Sequence, residues 1–308
     1  MSTVSSDTTV ALVQTEPDVS TALRRAFDLL AADGGPTLAE RAGRLVTIKP
    51  NLTAPRESGS GIVSDVAVVE ALIQKLRADA PDIERIVVAD GPGMVDASRC
   101  FTAAGYDRLA DDYGVELLDL NLEPTRTVDV PDWLRYPTLE IPNVVLDADL
   151  FVSITPVKTH TDGLYTVHAK NMFGVPPNRL YGRPRRAFHR AGVPEVVYDI
   201  CRAAPIDLAI IDGLVGLQLG DPIDGEPVKQ GVLAVGWNAQ AVDIVGCALM
   251  GVDPIDTRYL AYLRAAGVGP ISLDELHLVG DPLQELAQRF ATPDAATLAA
   301  NSQRTSAH

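Results

Sequence analysis

Eight short apolar runs, at residues 9–14, 45–48, 85–89, 115–118, 150–154, 208–211, 232–235 and 277–279, recur along this sequence. They are built from Val, Ile and Leu with little polar alternation, the pattern of strands covered on both faces. Amphipathic stretches at 19–32, 65–78, 97–104, 107–113, 193–203, 239–250, 254–266 and 283–290 accompany them. Buried strands interspersed with helices predict an α/β fold, a mostly parallel sheet with helices on both faces. Asp65 and Asp96 stand where helix N-caps belong, and Gly105 and Gly267 where helices end. The 308 residues leave room for a second α/β subdomain or a large insertion.

Two stretches break the rhythm. Residues 123–144 carry four prolines and Trp133, and residues 174–194 are rich in proline and arginine. Long irregular segments inside compact chains are commonly functional. The expected organisation is an N-terminal α/β half at 1–122, an irregular excursion with Lys/His/Arg-rich active-site loops at 123–195, a C-terminal α/β half at 196–290, and a flexible tail at 291–308.

Polar residues follow four of the apolar runs: Lys49-Pro50-Asn51, Asp90-Gly91-Pro92-Gly93, Thr155 to His160, and Asp212-Gly213. Ligands of open parallel sheets bind beyond the carboxyl ends of the strands, so these four ends are expected to converge on one site. A lysine placed there serves as a desolvated charge for an anion or carbonyl, or snorkels to water. Lys158, His160, His168, Lys170 and Asn171 fall within fourteen residues of a loop-like stretch, and Lys and His are readily tuned to exchange protons near neutral pH. Asp243 lies in an otherwise apolar helix, where a buried acid needs a partner, a cationic site residue being one candidate.

Other chemistries find less support. The three cysteines, Cys100, Cys201 and Cys247, are far apart and set in apolar surroundings, which disfavours a disulfide scaffold, a zinc finger and an iron–sulfur cluster. No GxGxxG, GxxxxGK[ST] or GxSxG pattern occurs. His160, His168 and His189 match no standard ligand spacing, but a divalent metal held by them stays open as an alternative. The opening MSTVSSDTTV has neither a basic region nor an apolar core, and no apolar run approaches the ~20 residues that span a bilayer, so a cytoplasmic location is expected.

The ordered motifs resemble those of the domain-of-unknown-function family 362. They are Ile48-Lys49-Pro50-Asn51, Asp90-Gly91, Lys158-Thr159-His160, Lys170-Asn171-Met172-Phe173-Gly174, His189, Asp212-Gly213, the turn from Gly220 to Gly225, and Ala241-Val242-Asp243. The resemblance spans about residues 45–281. Many relatives carry a ferredoxin-like segment with cysteine-ligated clusters, which this sequence lacks. The family is distantly similar to the nickel-pincer lactate racemases, which implies epimerase-like chemistry by Lys and His residues around a nucleotide-derived cofactor.

The resulting expectation is an enzyme acting on a small anionic metabolite, carboxylate- or phosphate-bearing, by Lys/His proton transfer, with an isomerase or epimerase and a lyase or cyclase outcome equally open. Bacterial specialised metabolism suits its Ala-, Arg- and Pro-rich composition. Lys158, His160, Lys170 and Asp212 are the candidate catalytic residues. Lys49, Asn51, Asp90, Gly91, Asn171, Gly174, His189, Gly213 and Asp243 are the candidate substrate-binding ones. Two alternatives stay open: a metal-dependent oxidoreductase with a His/Asp site, and a non-catalytic small-anion binder. The formal net charge of -15 argues against nucleic acid and anionic membranes as partners, and a homo-oligomer stays open. Residues 156–192 invert that balance, with seven Lys or Arg against one acid, a local net of +6 suited to gathering a small anion.

Overall fold

Successive side chains of the first strand, Thr9–Gln14 (β1), enter two separate cores: Val10 and Leu12 pack in one, Ala11 and Val13 in the other. The same division splits Val87 and Ala89 from Ile86 and Val88, and Phe151 from Leu150, Val152 and Ile154. A period of two with both faces buried is the physical reason these runs lack polar alternation.

The computed structural model describes residues 8–160, 165–220 and 224–292, with His160 and Gly220 as backbone only. The remaining strands are Leu45–Lys49 (β2), Arg85–Asp90 (β3), Glu116–Asp119 (β4), Thr125–Asp129 (β5), Thr138–Pro142 (β6), Leu150–His160 (β7), Tyr165–Thr166 (β8), Leu208–Gly220 (β9), Glu226–Gly236 (β10) and His277–Gly280 (β11). Among the described residues nine of these form one sheet in the order β11-β1-β10-β9-β7-β2-β3-β4, with β8 paired to β7. The pairs β1–β11, β2–β3, β2–β7, β3–β4 and β7–β9 are parallel, and β1–β10, β9–β10 and β7–β8 are antiparallel. Helices Val19–Ala32 and Val66–Asp79 supply one core, through residues such as Leu23, Phe27, Val69 and Leu72. Helices Val193–Ala203 and Ala239–Leu249 supply the other through Val196, Val197, Val242 and Val245. The expected mostly parallel α/β sheet with helices on both faces is the observed fold.

Several local expectations change. Two apolar runs expected to end at Ile154 and Ile211 continue as β7 to His160 and β9 to Gly220. Pro156 lacks a ladder N–H and reads as a terminator, yet β7 passes it with register shifts between Pro156 and Lys158 and again before His160. Gly213 reads as a turn but sits inside the sheet, where an added Cβ would lie 2.5 Å from Val232 Cγ1. Lys158 and Asp212 are therefore strand residues, not loop residues. The 123–144 stretch holds the β5–β6 hairpin. The expected 254–266 helix divides into Pro254–Asp256 and Arg258–Ala265, and the 283–290 helix shortens to Leu283–Leu286. Asp65 caps its helix by accepting the Ala67 N–H, but Asp96 makes no such bond; Asp119 Oδ2 accepts the Ala97 N–H instead.

Candidate active site

Lys49, the last residue of β2, is buried, and its ammonium is held at three points. Nζ lies 2.5 Å from Asp90 Oδ1 and donates to Asn171 Oδ1 at 3.0 Å and to the Pro50 carbonyl at 3.2 Å. Burial lowers the pKa of Lys49, and the Asp90 carboxylate opposes that shift. Asp90, the last residue of β3, also accepts the backbone N–H groups of Leu52 and Gly91 at 2.7 and 2.8 Å. Adjacent parallel strands thus end in an ion pair that the protein has removed from water, an arrangement tolerated only with further hydrogen bonds of this kind.

Lys158 of β7 joins the same network. Its Nζ donates to Asn51 Oδ1 at 2.6 Å and to the Ile62 carbonyl at 2.8 Å, and the residue is fully buried. Asn51 Nδ2 donates in turn to Asn171 Oδ1 at 3.0 Å, so two amides connect the two lysines. Lys158 has no carboxylate hydrogen-bonded to it among the described residues. Burial, reinforced by the neighbouring charges of Lys170 and Lys49, lowers its pKa to about 7. A substantial fraction of Lys158 is therefore free amine at neutral pH, the state needed to accept a proton.

The Lys170-Asn171-Met172-Phe173-Gly174 motif reaches the site through a short helix, His168–Asn171. Ser153, a polar residue in the apolar start of β7, anchors it: Ser153 Oγ accepts from Asn171 Nδ2 at 3.0 Å and shares a hydrogen bond with His168 Nδ1 at 2.9 Å. Asp243 accepts the His168 and Ala169 backbone N–H groups at 2.6 and 2.9 Å. Its partners are thus two amides at the start of that helix, not the cationic side chain the sequence suggested. Burial pushes the Asp243 carboxyl up to about 8. Lys170 Nζ stands 4.7 Å from the centre of the Phe173 ring, and the exposed His189 ring meets the same Phe173 edge-on at 5.3 Å.

Asp212 lies one step outside the lysine network. Its Oδ2 accepts the Asp65 N–H at 2.6 Å, next to Ser64, whose Oγ accepts the Asn51 N–H and donates to the Ile154 carbonyl, each at 2.9 Å. Burial raises Asp212 to about 7. Gly91 and Gly174 are close-approach positions: a Cβ on Gly91 would lie 2.4 Å from the Gly174 carbonyl oxygen, and one on Gly174 would lie 3.1 Å from Lys49 Nζ.

The arginine-rich segment behaves differently from a free cationic surface. Arg185, buried and in the left-handed backbone region at φ 67°, donates to the carbonyls of Pro176, Gly91 and Gly174 at 2.7, 2.9 and 2.8 Å. Arg179 donates to the Asn121 and Glu123 carbonyls, and Arg183 to that of Met94. These side chains fasten the segment to the loops after β3 and β4. Sequence reasoning missed Arg185 and Ser153 as site residues. A lone serine in an apolar buried strand was the available signal for the second, whereas nothing singled out Arg185 among its neighbours.

The side chain of His160 and the Asp221 region of the turn from Gly220 to Gly225 lie outside the described residues. Among the described residues no cluster of three or more His, Cys, Asp or Glu is placed to hold a metal. His168 is buried and kept neutral, its pKa lowered to about 3 by burial, while His189 is exposed beside Phe173. All three cysteines are free, with thiol pKa values raised by burial, that of Cys100 to about 12. Among the described residues no helix is long and apolar enough to cross a membrane.

Two buried lysines linked by amides, at the carboxyl edge of a mostly parallel sheet, define an α/β protein with a desolvated cationic centre. The chain belongs to the family described as "Domain of unknown function (DUF362)", whose model matches residues 46–248. That bears out the resemblance carried by the ordered motifs. The chain is 22% identical over 270 residues to a thylakoid-associated protein of Synechocystis sp., an alignment covering 86% of this chain and 81% of that protein. Its fold matches the lactate racemase apoprotein of Thermoanaerobacterium thermosaccharolyticum with a TM-score of 0.50 and 15% identity, over 79% of this chain. The match spans only 57% of the racemase chain.

Proposed function

We propose that this protein is an enzyme that moves a proton on a small anionic metabolite, carboxylate- or phosphate-bearing, with Lys158 as the proton-accepting group. The observation that carries this reading is the placement of Lys158: fully buried, held by Asn51 and Ile62, and brought to a pKa of about 7 with no carboxylate on it among the described residues. A base tuned to ambient pH gives the best compromise between availability and driving force. Among the described residues Lys49, Lys170 and Arg185 bring more positive charge to this neighbourhood than Asp90 and the Asp119 beside Arg185 offset, and that excess favours an anionic ligand. In this reading Lys49 and Lys170 attract the anion, Asn51 and Asn171 orient the two lysines, and His160 is the second proton carrier. Asp212 and Asp243 act as positioning residues through the backbone amides they accept. The likeness of the fold to a lactate racemase supports an isomerase outcome ahead of a lyase or cyclase one.

The test is solvent exchange. The protein is incubated in deuterium oxide with a panel of 2-hydroxy, 2-amino and 2-oxo carboxylates and their phosphorylated analogues, and proton NMR follows each carbon-bound hydrogen. The expected result is deuterium entry beside the carboxylate or carbonyl of one compound, falling at least ~100-fold in Lys158→Met. Epimer formation identifies an isomerase, and loss of a leaving group a lyase. Exchange that persists undiminished in Lys158→Met overturns the assignment.

A further inference from the structure

A concavity away from the lysine network opens where helix Val193–Ala203 ends, helix Ala239–Leu249 begins and helix Arg258–Ala265 ends. It is a small, partly open cleft of about 40 Å³, and its lining includes Cys201, Ile206, Gln240, Asp243, Leu263 and Val268. None of Lys49, Asn51, Asp90 or Lys158 lines it. The walls are largely aliphatic, broken by the polar groups of Cys201, Asn238, Gln240 and Asp243, of which Cys201 donates to the Ala169 carbonyl and Asn238 Oδ1 accepts the Ala241 N–H. Gln240 commits both amide hydrogens, to the Leu260 carbonyl at 3.2 Å and the Pro270 carbonyl at 2.6 Å. Its buried Oε1 has no hydrogen-bond partner among the described residues. Asp243 accepts two backbone amides, each of its oxygens retaining a second lone pair, and no cationic side chain contributes to its environment among the described residues. The basic side chains in the last turns of the flanking helices, Arg202 and Arg264, pair with Asp132 and Glu275 instead.

A buried unpaired acceptor costs free energy until a donor reaches it, and a buried carboxylate is stabilised most by a cation that also donates hydrogen bonds. We propose that this cleft is a binding site for a small primary amine, whose ammonium group meets Asp243 and the Gln240 carbonyl oxygen while its apolar body packs against Ile206, Leu263 and Val268. An ammonium supplies up to three donors and one positive charge, and its charge favours release of the Asp243 proton to solvent, since burial keeps that carboxyl protonated in the empty cleft below about pH 8. Because Asp243 also holds the first amides of helix His168–Asn171, an occupant of the cleft touches the residue that positions the Lys170–Asn171 segment.

Calorimetric titration with benzylamine, and with benzyl alcohol as its uncharged counterpart, tests the site on the full chain. Benzylamine is expected to bind saturably at one site, with at least tenfold lower affinity for benzyl alcohol. Val268→Trp and Ile206→Trp, both at half-buried rim positions, are each expected to weaken benzylamine binding at least tenfold. Asp243→Asn is expected to weaken it by a similar factor, and where that variant does not fold the two tryptophan variants decide. Absence of saturable benzylamine binding overturns the proposal. So does binding unchanged by both tryptophan substitutions, or binding of benzyl alcohol as tight as that of the amine.

Discussion

Asn51 accepts a hydrogen bond from Lys158 Nζ at 2.6 Å, which ties the extended half of β7 to the segment that follows β2. The same amide donates to Asn171, and Asn171 accepts from Lys49. Two asparagines in series therefore set the distance between a lysine paired with an acid and a lysine that, among the described residues, has no carboxylate hydrogen-bonded to it. That difference in pairing is what separates the two chemically: Lys49 is held as a charge, and Lys158 is free to titrate.

Activity should follow the titration of Lys158. Its free amine forms as pH rises through about 7, so proton exchange on the substrate is expected to climb through that range. The stability effect has the same sign. An unfolded lysine keeps its proton to about 10.5, so between about 7 and 10.5 the unfolded state binds more protons and stability rises with pH. Denaturation midpoints should show the native chain gaining stability relative to Lys158→Met between pH 6 and pH 9, whatever the buried acids contribute to both.

Breaking the buried ion pair from one side should cost more than removing it. Asp90→Asn or Lys49→Met leaves an uncompensated buried charge, at about 3–5 kcal/mol in comparable pairs. The double variant should cost less than the sum of the single ones, by about 1–3 kcal/mol of coupling in a denaturant-unfolding cycle. Strict additivity would contradict a direct Lys49–Asp90 interaction.

Asp243 predicts the opposite pH dependence. Its folded pKa, raised to about 8, lies above the unfolded value of 3.8, so its contribution is fully present below 3.8 and is lost as pH rises through 8. Asp243→Asn removes that loss. Melting curves from pH 5 to pH 9 should therefore show the variant gaining on the native protein as pH increases.

Gly91→Ala should destabilise by about 1–3 kcal/mol, because the new methyl would stand 2.4 Å from the Gly174 carbonyl oxygen and force two loops apart. Chemical denaturation is the measurement. A change below about 0.5 kcal/mol would mean that those loops separate freely.

The layers of the fold are legible in the amino-acid pattern alone. Val, Ile and Leu without alternation can be buried on both sides only in a covered sheet, and helices 19–32, 97–104, 107–113 and 193–203 were legible to the residue because their caps and periodicity are local. It also placed Lys49, Asn51, Asp90, Lys158 and Asn171 among the candidates, since polar residues beside buried strands have few structural roles. How they are partnered depends on long-range packing. Pro156 and Gly213 read locally as strand endings, and the sheet partners that carry β7 and β9 past them are distant in sequence. Whether Asp243 would meet a cation or two amides, and whether Arg185 would face solvent or fasten three carbonyls, likewise depended on segments far along the chain. A residue's type fixes what it can donate or accept, but burial and neighbours fix whether Lys158 carries a charge, and those exist only in the folded protein.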